Sequence, residues 1–238
     1  MTAIEQLKAI LDNQYESEDG ERYKVELKPG LTESEIQNLK EILPNKSLPI
    51  EIEDLLRFTR GFDFFGFEEV TFDGIGFFGF EEFFPDSCQL ASDGLGNFWI
   101  VDIDKTGNWG NVFYVCHDPP VVVKHSQHLS ELISHIDEFG RIGSRSNLDI
   151  IHKKTVMEIW SNSEGVIKKE IALTSDKELQ DFAESLPYNF QIADLRNAPN
   201  GKGFAYGKVK IESVIRHDTE LLWAFEKKKG FFSRLFSK

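Results

Sequence analysis

Three consecutive apolar runs in the middle of the chain constrain the fold more than any other feature. They read "NFWIVDI", "NVFYVC" and "PPVVVK", and only short turns connect them. Each run is rich in β-branched and aromatic residues and has the length of a strand. Strands that follow one another through short turns are typical of an antiparallel meander. The centre of the chain is therefore predicted to be an antiparallel sheet.

Amphipathic helical patterns flank these strands. Apolar residues between positions 4 and 11 recur on one helical face, and Thr32 and Glu35 form a capping box at the start of a second helix. The stretch "PIEIEDLLRFTRG" predicts a third helix, and "SQHLSELISHIDEFG" predicts a fourth. The predicted fold class is therefore α+β, with a mostly antiparallel sheet flanked by helices.

A small, polar and basic stretch, "GRIGSRSN" from Gly140 to Asn147, marks the best domain boundary. Beyond it, "TVMEIW" and "VIKKEIA" are predicted to form a hairpin, and Ser175 and Glu178 are predicted to cap a helix. Two further strands are expected at "KVKIESVI" and "ELLWAFE". The predicted organisation is a domain over residues 1–140 that includes the N-terminal helices, an α+β extension over 141–230 and a basic aromatic tail over 231–238.

The end of the chain, "KKKGFFSRLFSK", carries five basic and no acidic side chains. Its apolar residues recur close to helical spacing, so one interpretation is a short amphipathic segment. Such a segment would rest on an anionic lipid surface or on the protein's own acidic face. A frayed, solvated terminus is the alternative, and at this length we favour it.

The formal net charge of -13 argues against a nucleic-acid-binding protein, because phosphate contacts need lysine and arginine clustered on one face. The charge is also uneven along the chain. From Gly61 to Asp104 there are ten acidic residues and no Lys, Arg or His. This base-free segment predicts a basic partner, and an acidic surface that serves solubility alone is the alternative.

Two features favour a cytoplasmic location. Cys88 and Cys116 lie far apart without partner spacing, which suits reduced thiols better than a disulfide framework. The first residues do not resemble a secretory signal, and no apolar run approaches the ~18 residues of a membrane helix.

Two glycine-containing loops match binding motifs only in part. "GIGFFG" fits the dinucleotide pattern G-x-G-x-x-G, but Pro85 follows where a helix must open. "DIDKTGNWG" begins like a calcium loop, but Phe113 stands where an EF-hand needs a bidentate Glu. Both loops are therefore interpreted as turns between strands.

The sequence contains no pattern that predicts a metal site or a catalytic site. His125, His128 and His135 are spread around a loop and a helix, without a nearby acid or cysteine at a helical ligand spacing. No nucleophile elbow, P-loop or Cys-x-x-Cys is present. We therefore expect no catalytic residues, no cofactor and no metal site.

The acidic turn "DGLGN", Asp93 to Asn97, enters one of the central strands. Gly94 and Gly96 can take positive φ, and Asp93 and Asn97 can bond local backbone amides, so a conformational role explains the turn. After the turn, Phe98, Ile100 and Ile103 are predicted to share one face of the strand. Trp99 and Val101 are predicted to lie on the other face.

The order of "LTESEIQNLKEILP", "LPIEIEDLLRFTRGFDF", "DSCQLASDGLGNFWIVDI" and "WGNVFYVCHDPPVVVKHSQHLSELI" resembles the SUKH superfamily, the Smi/Knr-like proteins. The likeness covers Gly30 to Phe139 and lies in the order of "SDGLGN", a strand, "HDPP" and a helix. It departs at Arg60, where members often carry Asn before the glycine. The resemblance implies the SUKH fold and a family without established catalytic residues, and the extension after Arg141 lies outside it.

The superfamily includes bacterial immunity proteins that neutralise polymorphic toxins and fungal regulators of cell-wall glucan synthesis. The resemblance therefore implies a non-enzymatic protein-binding function, in which an immunity protein occludes a basic toxin domain such as a nuclease. A cytoplasmic regulator or scaffold of cell-wall or envelope synthesis is the first alternative. An uncharacterised enzyme is the second.

The partner-binding surface is predicted to lie on the base-free segment, where aromatic residues alternate with acids. The side chains expected to be partly exposed are Phe64, Phe65, Phe77 and Phe78. The acids expected around them are Glu68, Glu69, Asp73, Glu81 and Glu82. The competing interpretation is that these phenylalanines are all internal.

Overall fold

An eight-stranded antiparallel sheet forms the centre of the computed structural model, which describes residues 1–17, 19–67, 69–76, 79–162 and 165–227. The helices are α1 (Ala3–Ile10), α2 (Glu33–Glu41), α3 (Ile50–Phe58), α4 (Leu129–Ile142), α5 (Asn147–Ile150), α6 (Val156–Asn162), α7 (Lys169–Ala172) and α8 (Lys177–Glu184). The strands are β1 (Tyr15–Glu16), β2 (Arg22–Tyr23), β3 (Glu26–Leu27), β4 (Gly61–Asp63), β5 (Val70–Ile75), β6 (Ser87–Ser92), β7 (Phe98–Ile103), β8 (Trp109–His117), β9 (Pro120–Ser126), β10 (Val166–Lys168), β11 (Phe190–Asp194), β12 (Gly203–Phe204), β13 (Ile215–Arg216) and β14 (Leu222–Glu226).

The strands of the central sheet lie in the order β12, β9, β8, β7, β6, β5, β4 and β3, and neighbouring strands are antiparallel. The strands β7, β8 and β9 correspond to the three apolar runs. In their register, Tyr114 pairs with Trp99 on one side and with Val123 on the other. The α+β fold class is confirmed, and so is the predicted meander.

Helices α1 to α4 cover one face of the central sheet. The predicted capping box begins α2, because the Thr32 side chain accepts from the Glu35 backbone while the Glu35 side chain accepts from the Thr32 N–H. Apolar helix residues such as Leu7 and Leu55 are fully buried against this face. They share a core with Tyr114 and the other strand side chains that point to the helices.

A second antiparallel sheet, in the order β10, β11, β14 and β13, covers the opposite face. Its Trp223 and Phe225 share a core with Ile100 and Phe113 of the central sheet. Helices α7 and α8 bury Ala172, Leu179, Phe182 and Ala183 in a third core with β11 and β14. The described chain is therefore layered as helices, central sheet, second sheet and helices.

The segment after residue 140 is joined to the central sheet by several contacts. Strand β12 pairs with β9, with Gly203 opposite Val123. The buried Lys124 on β9 donates its Nζ to the carbonyl oxygen of Ala198 at 2.9 Å. Helix α4 continues to Ile142 and so crosses the expected boundary. The segment therefore extends the central sheet and covers one of its faces.

Three local expectations in this segment are wrong. The expected strand at "KVKIESVI" contains the 3₁₀ turn Ile211–Ser213, and only its last residue, Ile215, belongs to β13. "TVMEIW" is helical, because Ile151–Thr155 forms a π-helical turn that continues into α6. Val156 and Ile159 are both buried, and their spacing of three residues is typical of a helix. The β-branched residues of this stretch favour a strand when only composition is considered. The cap of α8 is Asp176, whose side chain accepts from the Leu179 N–H, and not Ser175.

One residue of β7, Ile103, lies on the opposite face of the sheet from the one predicted. Phe98 and Ile100 lie on the side of the second sheet, while Trp99 and Val101 belong to the core under the helices, as predicted. Ile103 also belongs to the core under the helices, because strict alternation continues to the end of the strand.

Within the described ranges, none of the helices combines the length and the apolar character that crossing a membrane requires.

Candidate functional site

The acidic turn before β7 has the predicted conformational role. Asp93 Oδ1 accepts hydrogen bonds from the backbone N–H of Leu95 at 2.9 Å and of Asn97 at 3.1 Å. Gly94 and Gly96 have φ values of 71° and 90°. A Cβ at Gly96 would lie 3.2 Å from a ring nitrogen of His117, so this turn favours glycine for space as well as for φ.

The loop that resembles a calcium site is built in the same way. Asp104 Oδ1 accepts from the backbone N–H of Thr106 at 2.8 Å and of Asn108 at 3.0 Å. These contacts hold the pKa of Asp104 below its usual value, against the opposing effect of its partial burial. In the described part of the chain, no group of three or more His, Cys, Asp or Glu side chains is placed to hold a metal ion.

The phenylalanines at the start of the base-free segment differ in exposure. Phe64 is only 5% exposed and packs against the rings of Tyr15 and Tyr23, so the expectation of an exposed Phe64 is wrong. Phe65 is 49% exposed, which agrees with the expected partial exposure, and its ring packs against that of Tyr23. Phe77, Phe78 and Glu68 lie outside the described residues.

The second half of the predicted surface lies on the other side of the central sheet. Phe80 and Phe83, which flank Glu81 and Glu82, belong to the core beneath the second sheet. Phe64 belongs to the core beneath the helices. Glu81 accepts from the Gly79 N–H, and Glu82 is exposed. The structure therefore does not join these two acids with Phe64 and Phe65 on one face.

Several acids of the segment form ion pairs within the protein. Asp73 Oδ2 lies 3.1 Å from Arg60 Nη2, so this acid is not a free member of a binding surface. Asp86 Oδ2 lies 3.0 Å from Lys105 Nζ. Asp102 forms a third pair with Arg216, at 2.7 Å, with both side chains 6% exposed. These three acids of the segment are therefore paired with basic side chains of the protein itself, and only the pair of Asp102 and Arg216 is buried.

An exposed acidic group remains at the end of the central sheet, where β3 is the edge strand. Glu26 pairs in register with Asp63, and both are exposed. Lys28 Nζ lies 3.5 Å from Asp63 Oδ1 and also contacts Glu69. We call Glu26, Asp63, Phe65 and Glu69 the acidic edge. Two of its three carboxylates contact one lysine, so the group keeps a net negative charge, and the exposed Phe65 follows Asp63 by two positions in the sequence.

A cleft on the helical side of the sheet holds His125 and His135, two of the three histidines that are candidate metal ligands in the sequence. Ser126 Oγ lies 2.7 Å from His125 Nδ1 and 3.3 Å from His135 Nδ1. His128 instead caps α4 by accepting from the Glu131 N–H. Burial lowers the pKa of His125 to about 3, with a further lowering from His135, and burial also lowers the pKa of His135.

The cleft has a volume of about 350 Å³ and is lined by His125, His135, Asn147, Ile150, Ile151, Thr155, Asn200 and Gly201. Sequence reasoning missed it because its walls come from β9, α4, α5 and the loop before β12, which are distant in sequence. The spacing of the histidines alone gives no sign of Asn200.

The helices, antiparallel sheets and acidic edge define an α+β protein with a charged, aromatic-containing surface. Residues 30–139, slightly less than half of the chain, match the model of the SMI1 / KNR4 family (SUKH-1). This part of the chain therefore belongs to the SUKH superfamily, over the range in which the resemblance was seen. Searches of curated proteins and of solved structures give no significant match.

Proposed function

We propose that this protein is a non-enzymatic immunity protein that neutralises a basic toxin domain by binding it through the acidic edge. The observation that carries the proposal is the exposed Phe65 beside Asp63 and Glu69, whose side chains are 63% and 57% exposed. The SUKH match supports a binding function, because the superfamily includes toxin-immunity proteins.

The acidic edge combines two properties of a recognition surface. The net negative charge of its three carboxylates and one lysine steers a basic partner toward the surface and raises the association rate. An aromatic side chain that becomes buried on binding anchors the complex and slows its dissociation. Since β3 is the last strand of the sheet, its outer edge also leaves backbone groups accessible to a partner.

The non-enzymatic part of the proposal is supported by the described nucleophiles. Cys88 and Cys116 are both buried, and burial raises the pKa of each thiol. A buried, protonated thiol is a poor nucleophile. Ser126 lies next to two histidines, as a catalytic serine would, but it has no exposed surface.

The test is to search the neighbouring genes for one that encodes a basic toxin domain, to co-express this protein with that toxin and to measure growth. Rescue by the wild type, with weaker rescue by the double variant D63N/E69Q, is expected. Failure of the wild type to rescue would contradict the immunity function. Equal rescue by both forms would keep the function and move the site away from the acidic edge. Recovery of envelope-synthesis enzymes as the stable partners of a tagged protein purified from its own host would favour a regulator instead.

A further inference from the structure

The cleft between β9, α4 and α5 contains polar atoms whose hydrogen bonding is incomplete. His125 is 3% exposed, and its Nε2 has no hydrogen-bond partner in the described part of the chain. Asn200 Oδ1, which lines the same cleft, is also buried without a partner. Buried polar groups in folded proteins are nearly always paired, so two such atoms at one cleft need a ligand or ordered solvent.

The hydrogen bonds around Ser126 set the tautomers of the two histidines. Ser126 Oγ has one proton, so it donates to one of the two Nδ1 atoms and accepts from the other. With both rings neutral, the ring that accepts from Ser126 carries its proton on Nε2, and the other ring has a bare Nε2. The two Nε2 atoms therefore provide one donor and one acceptor.

Asn200 is oriented by a second hydrogen bond. Its Nδ2 donates to Glu131 Oε1 at 2.9 Å, which leaves Oδ1 as the free acceptor of the amide. Glu131 is fixed in turn, because its Oε2 accepts from the Gln127 N–H at 2.6 Å. Asn200 Oδ1 is therefore held in place by the contact of its amide with Glu131 on α4.

The charge of the cleft limits the ligand. The lining residues include no Lys, Arg, Asp or Glu, and the lowered pKa of both histidines keeps them neutral. The lining offers an anion no counter-charge for its lost hydration. A cation would find carboxylates only behind the lining, where Glu131 is already bound to Asn200 and Gln127. The π-helical turn Ile151–Thr155 forms part of the wall, and such turns recur at functional sites.

We propose that this histidine cleft binds an uncharged carboxamide-type group, whose N–H donates to Asn200 Oδ1 while its carbonyl oxygen accepts from His125 Nε2–H. In this arrangement Ser126 donates to His125 Nδ1 and accepts from His135 Nδ1–H. The volume of about 350 Å³ lies in the range of small-ligand sites. Two sources share this chemistry, namely the amide side chain of a peptide and a small lactam heterocycle.

The test uses the full chain and nitrogen-15 NMR of the histidine rings. Propanamide, which has the amide group of a glutamine side chain, represents the peptide source and uracil the heterocycle, while propanoate, which has no amide, is the charged control. We expect one of the two neutral probes to shift His125 Nε2 saturably and to bind at least tenfold more tightly than the charged control. Asn200→Leu should weaken that binding at least tenfold, whereas Asn197→Leu, at an exposed position on the same loop, should leave it unchanged.

Each result is decisive for the cleft. Binding of propanamide points to the amide side chain of a peptide, and binding of uracil points to a free small molecule. Absence of saturable shifts with both neutral probes, or equal binding of the charged control, would overturn the proposal. If Asn200→Leu does not fold, the comparison of neutral and charged probes on the wild type still decides it. None of these results depends on toxin binding by the acidic edge.

Discussion

Arg216 on β13 donates to Asp102 on β7 at 2.7 Å and so joins the second sheet to the central sheet by a buried ion pair. Arg216 also lies 4.4 Å from the centre of the Trp223 ring and donates to the carbonyl oxygen of His217. Burial raises the pKa of Asp102, against the opposing pull of Arg216. Sequence motifs gave no sign of this contact, because its residues are more than a hundred positions apart.

Removing Arg216 alone should destabilise the protein strongly. Arg216→Met leaves Asp102 buried without its partner, which typically costs about 3 to 5 kcal/mol. Urea unfolding should show that loss, and the double variant D102N/R216M should recover part of it because no buried charge is left unpaired. Arg145→Met, at an exposed position, should change stability by less than about 0.5 kcal/mol. Equal stability of Arg216→Met and Arg145→Met would contradict a structural role for the ion pair.

Phe84 should behave as a core residue despite its place in the acidic segment. Its ring centre lies 4.9 Å from that of Phe113 and 5.5 Å from that of Trp223, and the side chain has no exposed surface. Phe84→Ala should therefore lower the free energy of unfolding by about 3 to 5 kcal/mol. The matched variant Phe65→Ala should lower it by less than about 1 kcal/mol, since Phe65 is half exposed. Similar losses for both would contradict the burial described for them.

Phe65→Ala should instead weaken partner binding. If Phe65 anchors the toxin domain, truncation should cost about 2 kcal/mol of binding free energy, mostly through faster dissociation. Surface plasmon resonance with the folded variant measures this directly. An unchanged dissociation rate would remove Phe65 from the interface.

The low pKa of His125 predicts that the protein loses stability in acid. Its pKa is about 3 in the folded protein because of burial and the neighbouring His135, whereas an unfolded histidine has a pKa of ~6.5. As the pH falls below about 6.5, the unfolded chain gains a proton that the folded chain does not, so stability decreases until about pH 3.

The comparison that isolates this effect is with His125→Gln, which removes the titrating group. Between about pH 6 and pH 4, the stability of the wild type relative to this variant should fall by roughly 1 kcal/mol per pH unit. Phe65→Ala, which removes no titrating group, should keep the wild-type pH dependence. Parallel curves for the wild type and His125→Gln would show that His125 titrates normally.

The elements that could be predicted are those with local signals. The meander followed from apolar runs of strand length, and the start of α2 from Thr32 and Glu35, because turns and caps depend on neighbouring residues. The helix α6 was missed because Val156 and Trp160 suggest a strand when only composition is considered.

The expected exposure of Phe64 was wrong for a physical reason. The segment has more phenylalanines than one core layer holds, but the central sheet is covered on both faces and buries several of them in two cores. Phe64 lies in the first core, and Phe83 and Phe84 lie in the second. The second face is covered through contacts with Trp223, which lies far along the chain. No local sequence pattern predicts these contacts.

The salt dependence of association between this protein and a basic toxin domain tests the acidic edge most directly. D63N/E69Q should associate more slowly than the wild type at low salt, and its association rate should depend less on salt. The control E51Q/E212Q removes the same charge at two exposed positions elsewhere, so it should retain most of the wild-type rate and its salt dependence. Equal rates and equal salt dependence for both double variants would contradict binding through the acidic edge.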